Sequence, residues 1–215
     1  MTEVFIVSGT DTGIGKTVFA AALTSALKGY YWKPVQAGLS GETDARIVAR
    51  LSGAHPDRIL PEAYRLALAA SPHLAAEREG IAISAECLAV PNVSGPLIIE
   101  GAGGLLVPLS RELLQIDLFS SWKAPVILCA STRLGTINHT LLSVEALKRR
   151  GIAILGIAFL GDENADSERT ISEMGSVRRL GRLPLLAQLD KHTLDTAFAN
   201  NFRLADVLGV GAMGP

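Results

Sequence analysis

The sequence predicts an α/β fold of three layers, a mostly parallel central sheet flanked by helices. Three observations predict it. Four near-continuous apolar runs (Val4–Val7, Leu97–Glu100, Val126–Ala130 and Ile154–Leu160) have the character of strands buried on both faces. Helical patterns fall between them, so strand and helix alternate along the chain. A glycine-rich segment follows the first run directly and opens the first helix.

Val4-Phe5-Ile6-Val7 reads as the first strand and Lys16–Lys28 as the first helix. Between them lies Gly9-Thr10-Asp11-Thr12-Gly13-Ile14-Gly15-Lys16-Thr17. Strand, glycine-rich loop and helix in that order make this a P-loop, so the expected fold is that of a P-loop NTPase. Loop N–H groups and the positive end of the helix form a concave site for a triphosphate, with Gly13, Ile14, Gly15, Lys16, Thr17 and Val18 as the nucleotide-binding stretch. Gly13 and Gly15 permit positive φ and close approach of phosphate. Lys16 reaches the outer phosphates, and the Thr17 hydroxyl is suited to Mg²⁺. Five residues, against the usual four, separate Gly9 from Gly15-Lys16, so Asp11 and Thr12 can face something other than ATP.

Tyr31-Trp32-Lys33 reads as a short strand ended by Pro34. Lys33 at its end can project beside Lys16 and stabilise a transferring phosphoryl group or a developing oxyanion; taken alone it reads more readily as a surface lysine with Pro34 ending an edge strand. Glu42–Leu51 reads as a helix with Asp44 near its start, either a carboxylate for Mg²⁺ or a first-turn acid favoured by the helix dipole. Leu74–Glu79, Ser84–Val90 and Asp117–Ser121 read as further helices. Glu100-Gly101-Ala102-Gly103-Gly104 closes the second long strand; its acid either orients Mg²⁺ opposite the P-loop or is solvated in a turn. Gly135-Thr136-Ile137-Asn138-His139-Thr140 opens a helix, Asn138–Arg150, capped by Asn138 and stopped by Gly151. Its N–H groups either bind a carboxylate or are ordinarily capped. The polar stretch Gly161–Arg169 reads as a mobile surface loop. Ligands of open α/β sheets bind beyond the carboxyl ends of the strands, where these polar segments gather.

The 215 residues suit one α/β domain, 1–215. Lys+Arg 20 against Asp+Glu 21 leaves a net charge of −1 and no long-range attraction for nucleic acid or anionic membrane. The apolar runs are too short to span a bilayer and no secretory signal is visible, so a cytoplasmic protein is expected. Cys87 and Cys129 read as small buried residues, and the four histidines lack metal-ligand spacing.

Together, the P-loop from Gly9 to Thr17, Lys33-Pro34-Val35-Gln36, Ser71-Pro72-His73, Glu100-Gly101-Ala102-Gly103-Gly104 and Leu134-Gly135-Thr136-Ile137-Asn138-His139 resemble the dethiobiotin synthetases over nearly the whole chain. The resemblance implies ATP- and Mg²⁺-dependent closure of 7,8-diaminononanoate with CO₂ to dethiobiotin, ADP and phosphate. It passes through a carbamate and a carbamic-phosphoric anhydride. Lys16, Lys33 and Thr12 are the implied catalytic residues, and Thr17, Asp44 and Glu100 the implied metal set. Glu100, Gly101, Ala102 and Gly103 line the nucleotide site. The family is usually a homodimer, with the substrate carboxylate bound near Gly135 and Asn138.

Three positions depart from the family pattern. Ala37 stands where members place a substrate-contacting Ser. Leu160-Gly161 stands where some members read adenine with Asn-Asp, leaving that work to backbone near Leu183, Pro184 and Leu185. Arg169 takes the place of a tyrosine near the substrate carboxylate. A cobyrinic-acid-type amidotransferase would need a fused glutamine-hydrolysing domain, for which this length leaves no room. A partitioning-type switch ATPase would carry a lysine early in the loop, where Thr10 and Asp11 stand, and often a basic or amphipathic tail, unlike 205–215.

Overall fold

β1 (Val4–Gly9) runs through the middle of a seven-stranded sheet because all but its first residue are buried. The computed structural model describes residues 3–208; the part of the C-terminal stretch from 209 onward lies outside them. α1 (Lys16–Leu27) leaves β1 through the glycine-rich loop. β2 (Tyr30–Trp32) and β3 (Val35–Ala37) precede α2 (Asp44–Ser52), followed by β4 (Ile59–Leu60), β5 (Tyr64–Leu66) and α3 (Pro72–Arg78). β6 (Leu97–Gly104), α4 (Gln115–Trp122), β7 (Val126–Ser131), α5 (Thr136–Arg149) and β8 (Ile154–Leu160) alternate through the centre of the chain. α6 (Ala165–Gly175), β9 (Arg179–Leu183), α7 (Lys191–Asn201) and α8 (Leu204–Val207) complete the described elements.

The strand order is β4-β2-β6-β1-β7-β8-β9, and every described pairing in it is parallel. β3 and β5 form a separate parallel pair. All major carboxyl ends therefore open on one edge; Gly9 and Ser131 end their strands, Lys33 and Gly161 follow theirs, and Glu100 sits within β6. Helices pack on both faces. On one face Phe19 of α1 meets Phe198 and Phe202, whose rings stack with centroids 4.8 Å apart. On the other, Ile116 and Phe119 of α4 and Val144 and Leu147 of α5 bury Ile6, Val126 and Leu128. No helix among the described residues is long and apolar enough to cross a membrane.

Several expectations are corrected. Ser84–Val90 holds only a short 3₁₀ turn, Glu86–Leu88, and within it Cys87 is exposed; Cys129 is buried. Asn138 does not cap α5, which starts at Thr136 behind Gly135 in a left-handed conformation (φ 94°). The expected loop Gly161–Arg169 ends at Asn164. There the side-chain carbonyl accepts from Ser167 N (3.2 Å) and starts α6. β9 and α7 carry no apolar run of the kind that marks the central strands, and the sequence did not disclose them.

Candidate active site

The phosphate-type loop is built by backbone conformation. Gly13 (φ 71°) and Gly15 (φ 103°) both occupy the left-handed region, and Gly15 caps α1. The turn leaves no side-chain cap on the α1 N-terminus, so its N–H groups face the loop interior. Lys16 is buried and its ammonium donates to the Asp11 carbonyl at 2.6 Å, curling over the loop. The Thr12 hydroxyl lies over Gly103, where an added Cβ would come within 3.0 Å of it. Thr12 thus stands between the loop and the end of β6.

Below the loop lies a cluster of charge. The Thr17 hydroxyl lies 3.1 Å from Asp44 Oδ1 and 2.9 Å from Glu100 Oε1, so its single proton serves one acid at a time. The Lys33 ammonium lies 2.7 Å from Asp44 Oδ2 and 3.1 Å from Glu100 Oε1, and also donates to the Gly101 carbonyl at 3.1 Å. Glu100 is 1% exposed and Lys33 4%. Burial pushes the Lys33 pKa down, but the Glu100 and Asp44 carboxylates more than offset it and hold it above its ordinary value. Lys16 goes the other way. Burial, and then the positive charge of Lys33, lower its pKa below the usual lysine value. Two buried ammonium groups therefore stand at the loop, one between two acids and one on the Asp11 carbonyl.

The donor set fits a hard divalent cation. Two carboxylates and a hydroxyl converge from three elements, the oxygen-only, partly open array that Mg²⁺ takes when phosphates complete its shell. Lys33 already places a positive charge on the two acids, evidence that the cluster favours a cation.

Beyond the loop, a cavity of about 490 Å³ is lined by Gly13, Ile14, Gly15 and Val18 on one side. Leu160, Gly161, Leu183, Pro184 and Leu185 line the other. The structure thus brings these separated segments to one chamber. Its far wall is mostly apolar, and the Gly161 polar groups are engaged: its N–H donates to Leu183 O (3.0 Å) and its carbonyl accepts from Arg182 (3.2 Å). Gly161 has φ 130°, and a Cβ there would fall 2.4 Å from Thr132 Oγ1.

The remaining candidates are placed as follows. Ala37 ends β3 and packs on the small core of α3. Gly135 and Asn138 sit at the start of α5, and Thr136 and His139 of the same turn line the chamber. Arg169 lies on the exposed side of α6, paired with Asp166 at 2.7 Å, in a groove separate from the chamber. Gly101, Ala102 and Gly103 are gripped by a residue that the sequence did not disclose. Gln115 accepts from Ala102 N (2.5 Å) and donates to the Gly104 carbonyl (3.0 Å). Gln36, the last residue of the Lys33-Pro34-Val35-Gln36 motif, takes a role the sequence did not assign it, accepting from Asp44 N at 3.3 Å. Tyr31 takes another, its hydroxyl donating to Glu100 Oε2 at 2.8 Å. None of the three lies in a phosphate-binding pattern, so only the fold reveals these contacts.

Comparison with known proteins gives consistent results. A family model described as an AAA domain matches residues 3–193. The ATP-dependent dethiobiotin synthetase BioD of Rhodopseudomonas palustris (strain BisB5) is 64% identical over 208 residues, covering 97% of this chain and 98% of that protein. The protein of the same name from Agrobacterium fabrum (strain C58) is 60% identical over 97% of this chain and 98% of its own length. Among solved structures, the MinC:MinD cell division complex of Aquifex aeolicus matches with a TM-score of 0.54 at 13% identity, covering 91% of this chain and 86% of that one. A ParA family ATPase from Chlorobium tepidum matches at 0.51 and 12%, covering 99% and 93%. At such identities these two likenesses show the fold alone.

Proposed function

The chain belongs to the ATP-dependent dethiobiotin synthetase family, and from that premise we propose that it closes 7,8-diaminononanoate with CO₂ into dethiobiotin, with ADP and phosphate as the other products. Membership makes it an ATP-dependent ligase of biotin biosynthesis. The finer proposal is a single domain over 1–215, working in the cytoplasm on small molecules, as a homodimer. Exposed Leu142 and Met174, on the adjacent helices α5 and α6, supply apolar surface for a second copy.

One substrate amine attacks CO₂ and loses a proton, giving a carbamate. A carbamate oxygen attacks the γ-phosphorus of ATP and ADP departs, leaving a mixed anhydride. The second amine attacks the carbonyl carbon, the C–O bond to phosphate breaks, and the ring closes. Carbamate and triphosphate are both anionic, so bringing them into contact requires fixed positive charge. Lys16 and Lys33 are the groups for that task, and Thr12 is placed to orient the carbamate. Thr17, Asp44 and Glu100 would hold Mg²⁺, which neutralises charge on the triphosphate when bound. Gly13 to Val18 and Glu100 to Gly103 serve the nucleotide phosphates. Leu160, Gly161, Leu183, Pro184 and Leu185 enclose the base. Ala37, Gly135 and Asn138 are assigned to the substrate, with Arg169 at its carboxylate from across the dimer.

The observation that carries this proposal is that two buried lysines stand at the loop, Lys33 between Asp44 and Glu100 and Lys16 on the Asp11 carbonyl. A switch ATPase has only the shared fold in its favour. Mass spectrometry after incubation with the diamine, ATP and ¹³C-bicarbonate tests it. One ¹³C in the ring carbonyl of dethiobiotin is expected, and an unlabelled or absent product would refute it.

A further inference from the structure

The proposed role of Glu100 in holding Mg²⁺ raises the question of what holds Glu100. Its carboxylate is buried in the middle of β6, and its two oxygens have different company. Oε1 faces the Thr17 hydroxyl and the Lys33 ammonium. Oε2 accepts from the Tyr31 hydroxyl at 2.8 Å. Tyr31 lies on the neighbouring strand, where it pairs with Ile98 and its ring is wholly buried. The adjacent Tyr30 points the other way and meets Ser94 at the surface. Of the tyrosine doublet, only Tyr31 enters the charged cluster.

A carboxylate turns readily about its last torsion, which has a broad, twofold profile. Left to itself, Glu100 could present either oxygen, or both, towards Thr17 and Asp44. The buried Tyr31 hydroxyl donates its one proton to Oε2, which takes that oxygen out of the Thr17–Asp44 side.

We propose that Tyr31 is a positioning residue that fixes Glu100 so that Oε1 alone faces the Thr17–Asp44 side of the cluster. The proposal rests on the assignment of Glu100 to the metal. Partners that orient a ligating carboxylate are commonly worth tenfold or more in metal affinity.

The test titrates Mg²⁺ by calorimetry into ADP-saturated wild type, Tyr31→Phe, Glu100→Gln and the double variant, with thermal unfolding read on each. Phe keeps the buried ring and loses only the donor. Tyr31→Phe is expected to bind Mg²⁺ about tenfold more weakly and to leave the KM for the diamine unchanged. It should add less than about twofold once Glu100 is already Gln. A Tyr31→Phe protein that folds only when combined with Glu100→Gln would equally support action through Glu100. Wild-type Mg²⁺ affinity in Tyr31→Phe, beside weakened binding in Glu100→Gln, would overturn the role of Tyr31 alone. Additive losses in the double variant would overturn it too, since Tyr31 would then act through the fold. Unchanged binding in Glu100→Gln would instead overturn the metal assignment.

Discussion

The Lys33 ammonium lies 2.7 Å from Asp44 Oδ2, while its other acid partner, Glu100, sits at 3.1 Å on a different element. Lys33 therefore joins β2, α2 and β6 at the point where a metal and an anhydride are proposed to meet. A structural duty and the proposed catalytic one fall on one side chain.

Lys33→Met should therefore cost both. Turnover falls at least about tenfold, the loss of one charge-assisted contact in the transition state. Removing the counter-charge also leaves the buried Glu100 uncompensated, a loss on the order of 3 kcal/mol. Thermal unfolding should show a lowered midpoint, and added Mg²⁺ should recover part of it by supplying positive charge to the same acids. A midpoint equal to wild type would mean that Lys33 does not neutralise the cluster.

Lys16→Met should abolish ring closure and yet stabilise the nucleotide-free protein at neutral pH. Burial and Lys33 lower the Lys16 pKa below its ordinary 10.5, so the charged form is disfavoured in the fold. That penalty is fully present below the folded pKa and vanishes above the unfolded value. The stabilisation should be largest near pH 7 and shrink as pH rises towards 10.5. Unfolding scans at several pH values check this; a destabilised Lys16→Met at neutral pH would contradict it.

Nucleotide preference should be weak. One wall of the chamber proposed for the base is Leu160, Leu183, Pro184 and Leu185, and the Gly161 amide and carbonyl are already bonded within the protein. Where apolar side chains and engaged backbone enclose the base, discrimination falls to the few-fold level of shape. CTP and GTP should support turnover with kcat/KM within about tenfold of ATP, as steady-state assays would show. A strong preference for ATP would mean that other groups read adenine.

The central strands and the phosphate loop were legible because burial on both faces leaves continuous apolar runs, and glycine spacing marks the loop. α6 and β9 were not, and for a shared reason. Glu168 on α6 is buried and is paired with Arg179 of β9 at 2.7 Å, with Arg182 at 3.6 Å. α6 buries an acid at a core position and β9 supplies its arginine partners from more exposed positions, so each reads as polar loop when taken alone, and only their contact explains both. The acids of the cluster were legible as separate hints at strand and helix ends. Tyr31 and Gln115 were not, because each acts on a neighbour distant in sequence and belongs to no motif; Gln36 stood inside Lys33-Pro34-Val35-Gln36, but its bond to Asp44 N shows only in the fold. Cys87 failed differently: its apolar sequence neighbours are followed by a chain too irregular to bury it.

Phosphate release, followed with ATP alone, with each cosubstrate singly and with 7,8-diaminononanoate and bicarbonate together, tests the central claim most directly. The account predicts release at full rate only when both are present, because the phosphoryl acceptor is the carbamate they form. ATP hydrolysis at the same rate without the diamine would contradict it.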